Sequence, residues 1–569
     1  MSPQRSVSTL ISFIVFTAFL PITADAQRVH TEPFQNAVVV SADELASRAG
    51  VEILQQGGNA VDAAVAVQFA LAVTLPRAGN IGGGGFMMIH LEDGSVHALD
   101  FRETAPAAAH RDLFLNADGE YVPEKSRIGA LASGVPGTVD GMISALERHG
   151  ILPLETVLQP AIRLADEGYR LSHSQASDLN RHRDDLAQFE SSAALFIRED
   201  GRDWQRGDLF VQLELAETLE RIARQGRDGF YSGVTARLLV QEIRRNGGMM
   251  TLRDLRDYRS RWRQPIHTRF FDHDFYMMPP PSSGGIVISQ LLTVLEQHRA
   301  DTLGHNSAAY IHLLSETMRR SFADRNYYLG DPDVVQIPQN GLLSGVYMQE
   351  RMRSFSPSQA TQSSEVSHGE PEPFLEQDET THFSIIDENG MAVAVTTTLN
   401  GSFGSYLSVT GAGFLMNNEM DDFSAKPGEP NMFGLIGAEA NAIEPGKRML
   451  SSMSPTIVTK NGTVRMVNGG AGGPRIITAT IQNLLNTLLF DMTAMHAVSA
   501  PRFHHQWLPD RLTLEHPGIS DDTIQILESM GHVIHRTGSM ARTHFILVDE
   551  EGLRFGAPDP RGDGHAAGY

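Results

Sequence analysis

Apolar and polar positions alternate along this chain with two periods, and the changes of period mark its elements. ELASRAGVEILQQ, from Glu44, repeats apolar residues at helical spacing, and Gly57-Gly58 stops it. Ser41-Ala42-Asp43-Glu44 ahead of it has the form of a capping box. Residues 60–75 are apolar and Ala-rich, but Asp62 and Gln68 interrupt them, which predicts a buried helix rather than a membrane span. IGGGGFMMIHL then leads into a strand, and Asp93-Gly94 turns the chain into SVHALDFRE. Residues 137–297 are mostly helical in pattern, as in LPLETVLQPAIRLADEG and VQLELAETLERIARQG. Within them MPPPSSGG is a rigid loop before the apolar helix IVISQLLTVLEQ. Near the C-terminus, strand TVRMVNG runs into GGAGGPR and the helix IITATIQNLLNTLLF.

Periodicity fails between residues 354 and 379. SFSPSQATQSSEVSHGEPEPFLEQDE has few apolar residues and many Ser, Gln, Glu and Pro, so its composition predicts a mobile segment. Strand alternation resumes at once in TTHFSIID, followed by ENG and MAVAVTTTL, which together read as a hairpin. A two-residue Asn389-Gly390 turn would set Thr380 opposite Leu399. A three-residue loop, Glu388-Asn389-Gly390 with a left-handed glycine, would set it opposite Thr398, and this register is favoured.

Bulk properties narrow the possibilities. The chain has 569 residues, enough for about three or four domain-sized units. Hydrophobic content of 41% and charged content of 20% describe a globular protein, and a net charge of −22 argues against a nucleic-acid partner. There is no cysteine, which excludes disulfides, thiolate metal sites and a Cys nucleophile. Residues 1–26 have Arg5 in a basic lead, an apolar run from Leu10 to about Leu20 and the small-x-small end Ala24-Asp25-Ala26. That pattern predicts a signal peptide and export, with no stable membrane span afterwards.

The familiar catalytic signatures HExxH, GxxxxGK[ST], GxSxG and the EF-hand loop are absent. His504-His505 lack the spacing of a helical zinc pair, and a packing or surface role explains them better. Gly82–Gly85 lead to no phosphate loop and read as close backbone packing beside a strand. Thr380 offers more chemistry. A threonine hydroxyl is a poor nucleophile, but an α-amine on the same residue, with a pKa of about 8, can act as its base. An internal threonine gains that amine if its hydroxyl attacks the preceding carbonyl, here that of Glu379, and the resulting ester hydrolyses.

Several runs in one order carry a resemblance. TTHFSIIDENGMAVAVTTTLNGSFG, MNNEMDDFSAKPG, KRMLSSMSPTIV, GGAGGPRIIT and APRFHHQWLPD, with NIGGGGFMMIHL, DFRETAP, ASGVPGTV, MPPPSSGG and YLGDPD earlier, resemble the γ-glutamyltransferase family of N-terminal nucleophile hydrolases. The likeness runs from about residue 33 to Tyr569. It implies a four-layer α/β/β/α sandwich and a periplasmic proenzyme. That precursor would cut itself into a large subunit (27–379, ending in the polar run 354–379) and a small subunit (380–569). It further implies cleavage of γ-glutamyl bonds, chiefly of glutathione, with water, an amino acid or a dipeptide as acceptor and no metal or organic cofactor.

The resemblance also assigns residues. Thr380 matches the nucleophile and Thr398 the hydroxyl that bonds it. Arg102, Ser451 and Ser452 match the group that holds the substrate α-carboxylate. Asn400, Glu419 and Asp422 match the α-ammonium site. Gly472 and Gly473 match the oxyanion hole. Taken singly each leans structural, Arg102 as an ion pair, Ser451-Ser452 as a turn, Asp421-Asp422 as a cap and Gly472-Gly473 as a tight turn before a helix, and it is jointly, in this order around Thr380, that the functional reading wins. Two departures stand out. Glu419 replaces a glutamine common among bacterial members, and Phe433 stands where close bacterial relatives carry a tyrosine that latches a lid to the residue matched by Asn400. A glutaryl-cephalosporin acylase of the same superfamily and an uncut binding protein are the rival readings.

Overall fold

Two antiparallel sheets stack face to face, and each carries helices on its outer face. The computed structural model describes residues 31–371 and 381–569. The first sheet runs, edge to edge, His565–Gly568, Val38–Ser41, Thr381–Ile386, Ala392–Thr398, Gly84–His90, Val96–Asp100 and Arg261–Arg263. The second runs Gly470–Ala471, Arg542–Val548, Thr463–Asn468, Thr456–Lys460, His273–Met277 and Ile266–Phe270, with Arg554–Pro558 also pairing Arg542–Val548.

Side-chain alternation along the strands divides the core into layers, because successive residues of a strand face opposite sides. Val39, Met87, Leu99, Phe383, Ile385 and Val395 pack outward against the helices Glu44–Gln55 and Ala60–Thr74. Val38, Val40, Phe86, Met88, Ile386 and Ala394 pack inward against Ile457, Val467 and Ile546 of the second sheet. The second sheet's outer residues, among them Phe275, Val458 and Phe545, meet the helices Gly284–Gln297, Ala308–Tyr328 and Arg475–Phe490. The order of layers is α/β/β/α, as expected. Both sheets mix strands from either side of the polar run.

The helix Ala60–Thr74 is buried at every position, which explains its lack of a polar face. No helix among the described residues is long and apolar enough to cross a membrane. The helix Glu44–Gln55 is capped by Asp43, whose carboxylate accepts from the amides of Leu45 and Ala46. Ser41 belongs to the preceding strand, so the cap sits two residues later than the capping-box pattern suggests.

The described part of the polar run, through residue 371, differs from the mobile segment its composition predicts. His312 on the helix Ala308–Tyr328 contacts the Ser356 carbonyl at 2.7 Å. Thr361 donates through its amide and its hydroxyl to Glu316. Ser363 donates to the Trp507 carbonyl and the Asp510 carboxylate, and Trp507 donates back to the Val366 carbonyl. Asp324 accepts from the Gly369 amide at 2.8 Å. Carboxylates of the helix Ala308–Tyr328 and of Asp510 hold the run here, an anchorage that an apolar count cannot register.

Candidate active site

The Thr381–Ile386 and Ala392–Thr398 strands form a hairpin with Thr381 opposite Thr397 and Ile386 opposite Ala392. The connection is the three-residue Glu388-Asn389-Gly390 loop, with Gly390 at φ +86° and its amide donating to the Asp387 carbonyl. This is the favoured register of the sequence. Thr380 itself lies outside the described residues, as does the Glu379–Thr380 bond.

His382 and Ser384 point between the two sheets. Ser384 Oγ donates to the His544 carbonyl, so it accepts from His382 Nε2, and His382 Nδ1 accepts from Thr396 Oγ1. Burial, reinforced by nearby His544, holds His382 well below the ordinary imidazole range. It is a neutral strut joining the sheets. His504 and His505 are likewise buried, with pKa values depressed by burial to about 3 and about 4, in keeping with a packing role.

On its other side the Ala392–Thr398 strand pairs with Gly84–His90, placing Thr398 beside Gly84. A Cβ on Gly83 would stand 1.9 Å from the Thr398 carbonyl oxygen, and one on Gly85 would stand 2.2 Å from that of Thr396. The Gly82–Gly85 run is therefore close strand packing, as read from the sequence, and it lets two polar segments converge at Thr398.

Thr398 Oγ1 accepts from the Asn400 amide at 2.6 Å. Asn400 is left-handed, φ +73°, and its Nδ2 donates to the Asn418 carbonyl, while Asn418 Oδ1 accepts from the Gly401 amide. Asn400 Oδ1 is buried and accepts no hydrogen bond among the described residues. These contacts tie Thr398 to the turn Glu419–Asp422. Next to that turn lies Arg102, wholly buried. Its Nη1 bonds Glu419, its Nη2 bonds Asp422 at 2.6 Å and the Leu450 carbonyl at 2.8 Å, and its Nε bonds the Met449 carbonyl at 3.2 Å. Ser451 and Ser452 follow directly, both fully buried, with Ser452 Oγ unpartnered among the described residues.

Charge in this cluster is unusual. Glu103 Oε2 lies 3.7 Å from Arg102 Nη1, so three carboxylates surround one guanidinium without solvent. Burial opposes the charge on Arg102, but Glu419, Asp422 and Glu103 outweigh it and hold its pKa above the ordinary value. Burial pushes Glu103 up to about 7 despite Arg102, and pushes Glu419 well above the usual carboxylate range. The cluster therefore retains a proton near neutral pH, which limits its net negative charge.

A cleft of about 450 Å3 opens beside these residues. Thr381, Thr398, Asn400, Gly472 and Gly473 line it, and Met432 and Phe433 cover part of it. Gly472 and Gly473 have φ of +133° and +68° and precede the helix Arg475–Phe490. The structure thus brings the candidate residues together in two connected groups. Thr398, Asn400, Gly472 and Gly473 face the cleft. Arg102, Glu419, Asp422, Ser451 and Ser452 are buried and are not among its lining, and the arginine and both acidic residues pair with one another. Glu103 joins that group without having been singled out in the sequence. Phe433 is in the covering loop, where its carbonyl lies 3.5 Å from Gln506 Nε2.

Comparison with known proteins identifies the family. The family model described as gamma-glutamyltranspeptidase matches residues 46–569. The glutathione hydrolase proenzyme of Escherichia coli K12 is 46% identical over 542 residues, covering 95% of this chain and 93% of the relative. Among solved structures, cephalosporin acylase from Bacillus halodurans superposes with a TM-score of 0.84 at 27% identity, covering 98% of this chain and 99% of the other. Helicobacter pylori γ-glutamyltranspeptidase superposes with a TM-score of 0.58 at 42% identity, covering 60% of this chain and 97% of that one. The chain belongs to the γ-glutamyltranspeptidase family and is an enzyme of the N-terminal nucleophile hydrolase type.

Proposed function

We propose that this chain is an exported, periplasmic proenzyme that cuts itself between Glu379 and Thr380 and then cleaves γ-glutamyl bonds, chiefly of glutathione, with Thr380 as nucleophile. The observation that carries the reading is the hairpin register. Thr381 pairs with Thr397, and the next residue of the partner strand, Thr398, lines a cleft together with the glycines of a strand-to-helix turn.

The chemistry runs in two stages. In the precursor, Thr380 Oγ attacks the Glu379 carbonyl and the C–N bond breaks, which frees the α-amine of Thr380 and leaves an ester; water then cleaves that ester, releasing the Glu379 carboxylate and restoring the Thr380 hydroxyl. In turnover that amine takes the hydroxyl proton as Oγ attacks the γ-carbonyl, then delivers it to the departing amine. Thr398 orients the nucleophile. The amides of Gly472 and Gly473 stabilise the oxyanion, each by roughly 3 kcal/mol if they act as such donors do in other acyl-transfer enzymes. Water or an acceptor amine then opens the γ-glutamyl ester.

Donor recognition uses the buried cluster. Arg102, with Ser451 and Ser452, suits a planar α-carboxylate, and Asn400, Glu419 and Asp422 suit an α-ammonium. An amino-acid zwitterion can exchange into the Arg102–Glu419–Asp422 ion pair without changing its net charge. A glutaryl side chain lacks the ammonium and would add one uncompensated negative charge to the cluster.

The likeness to a cephalosporin acylase gives the second reading its support. Rates on γ-glutamyl and glutaryl anilides separate the two. Faster γ-glutamyl release is expected, and faster glutaryl release would reverse the assignment. Phe433 bears on the lid. It covers the cleft but has no hydroxyl to latch to Asn400, so Phe433→Tyr should slow hydrolysis and alter acceptor preference by a few-fold. Identical acceptor profiles and hydrolysis rates for the two proteins would remove the lid assignment.

A further inference from the structure

The cleft has a basic wall that the donor reading leaves unused. Among the described residues its lining includes Arg77, Arg475, Arg542 and His544 but no aspartate or glutamate. In a chain of net charge −22 such a lining is selective.

Arg77 and Arg542 also border an adjoining small cavity, whose walls include Asp43, Asp178 and Asp563. The two guanidiniums therefore stand in a partition, with carboxylates on one side and the cleft on the other. Each is held from behind through Nε. Arg77 Nε lies 3.2 Å from Asp178 Oδ2, and Arg542 Nε donates to the Arg561 carbonyl at 3.0 Å. Among the described residues, the terminal nitrogens of neither donate to a protein group. The backbone at both positions is fixed. The Arg77 carbonyl accepts from the Phe403 amide, and Arg542 pairs across the sheet with Ala471, the residue before Gly472. Arg542 is thereby set beside the glycines assigned to the oxyanion hole.

We propose that Arg77 and Arg542 form a subsite for the carboxylate of the acceptor, so that amino acids and short peptides with a free C-terminal carboxylate are preferred to neutral amines. This rests on the γ-glutamyl-enzyme reading above. A guanidinium offers a planar carboxylate two parallel donors, and two guanidiniums held from behind are preorganised for it. Holding the carboxylate aims the acceptor's amine at the ester carbonyl. There the new C–N bond forms, the C–O bond to Thr380 breaks, and the amine proton returns to the threonine oxygen. The leaving group of glutathione carries its carboxylate on the same side of the reacting carbonyl, so the subsite serves both directions of transfer.

The test uses the processed full-length enzyme with γ-glutamyl-p-nitroanilide, whose leaving group has no carboxylate, and compares glycylglycine with glycylglycine amide as acceptors. The wild type should favour the acid in transfer kcat/KM by about tenfold or more, the scale of one charge-assisted pair. Arg77→Gln and Arg542→Gln should each shrink that ratio several-fold, and Arg542→Lys should keep most of it. Equal use of acid and amide by the wild type, or an unchanged ratio in both glutamine variants, would overturn the subsite. The wild-type ratio decides alone if a variant fails to mature. A wild type that releases no p-nitroaniline would instead sink the γ-glutamyl reading on which the subsite depends.

Discussion

Thr380→Ala should leave the chain uncut and reduce γ-glutamyl turnover by at least about four orders of magnitude, the scale seen when a covalent nucleophile is removed. Both losses follow from one hydroxyl. Without it nothing attacks the Glu379 carbonyl, so no new N-terminus appears. Without that N-terminus there is neither nucleophile nor α-amine base. The fold should survive, because the hairpin and its neighbours are fixed by contacts beyond residue 380, from Thr381 opposite Thr397 to Ile386 opposite Ala392. Denaturing electrophoresis and anilide hydrolysis check the two effects together. A Thr380→Ala protein that still divides in two would place the scissile bond elsewhere.

Arg102→Gln should cost about 3–5 kcal/mol of stability, as removal of one partner from a buried ion pair does, and should abolish donor binding. Glu103, Glu419 and Asp422 would lose the guanidinium they share. The pH dependence has a definite sign. In the wild type burial already raises Glu103 from its ordinary 4.5 to about 7, with Asp100 among the charges acting on it. A carboxyl raised in this way binds its proton more tightly folded than unfolded. Its contribution is fully present below about pH 4.5 and is lost as pH rises through about 7. Without Arg102 the carboxyls rise further, so the folded state depends still more on protonation. The destabilisation relative to wild type should therefore be largest near pH 8 and smaller near pH 5. Urea unfolding at the two pH values measures this. A difference under about 1 kcal/mol at both would mean that the cluster is not the charge-balanced unit described.

Much of the fold was legible because local rules agree with its tertiary demands. The Glu388-Asn389-Gly390 loop sets the hairpin register through one left-handed glycine, and that register determines which threonines share a face. The largely apolar, Ala-rich pattern of residues 60–74, interrupted by Asp62 and Gln68, announced a buried helix. The glycine run at 82–85 announced close strand packing, and the distances to the Thr396 and Thr398 carbonyls explain it.

What escaped sequence reading depends on contacts between distant positions. The resemblance assigns Arg102 to a carboxylate and Glu419 and Asp422 to an ammonium; that the three also pair with one another, across more than 300 residues, is visible only in the fold. Glu103 carries no motif of its own, and only the fold shows its carboxyl 3.7 Å from Arg102 and 2.5 Å from where a Cβ on Gly84 would stand. The polar run from Ser354 has few apolar residues, yet Glu316, Asp324 and Asp510 anchor its described part. Arg77 and Arg542 lie 465 positions apart by their numbering and carry no motif, so only the folded cleft brings them together.

The central claim is a cut that creates Thr380 as an N-terminus. N-terminal sequencing of the smaller fragment of the mature protein, with a glutathione turnover assay on the same sample, tests it most directly. The account predicts two chains, a small fragment beginning Thr-Thr-His-Phe and γ-glutamyl release from that preparation. An active protein that remains one intact chain, or a small fragment that begins at any other residue, would contradict it.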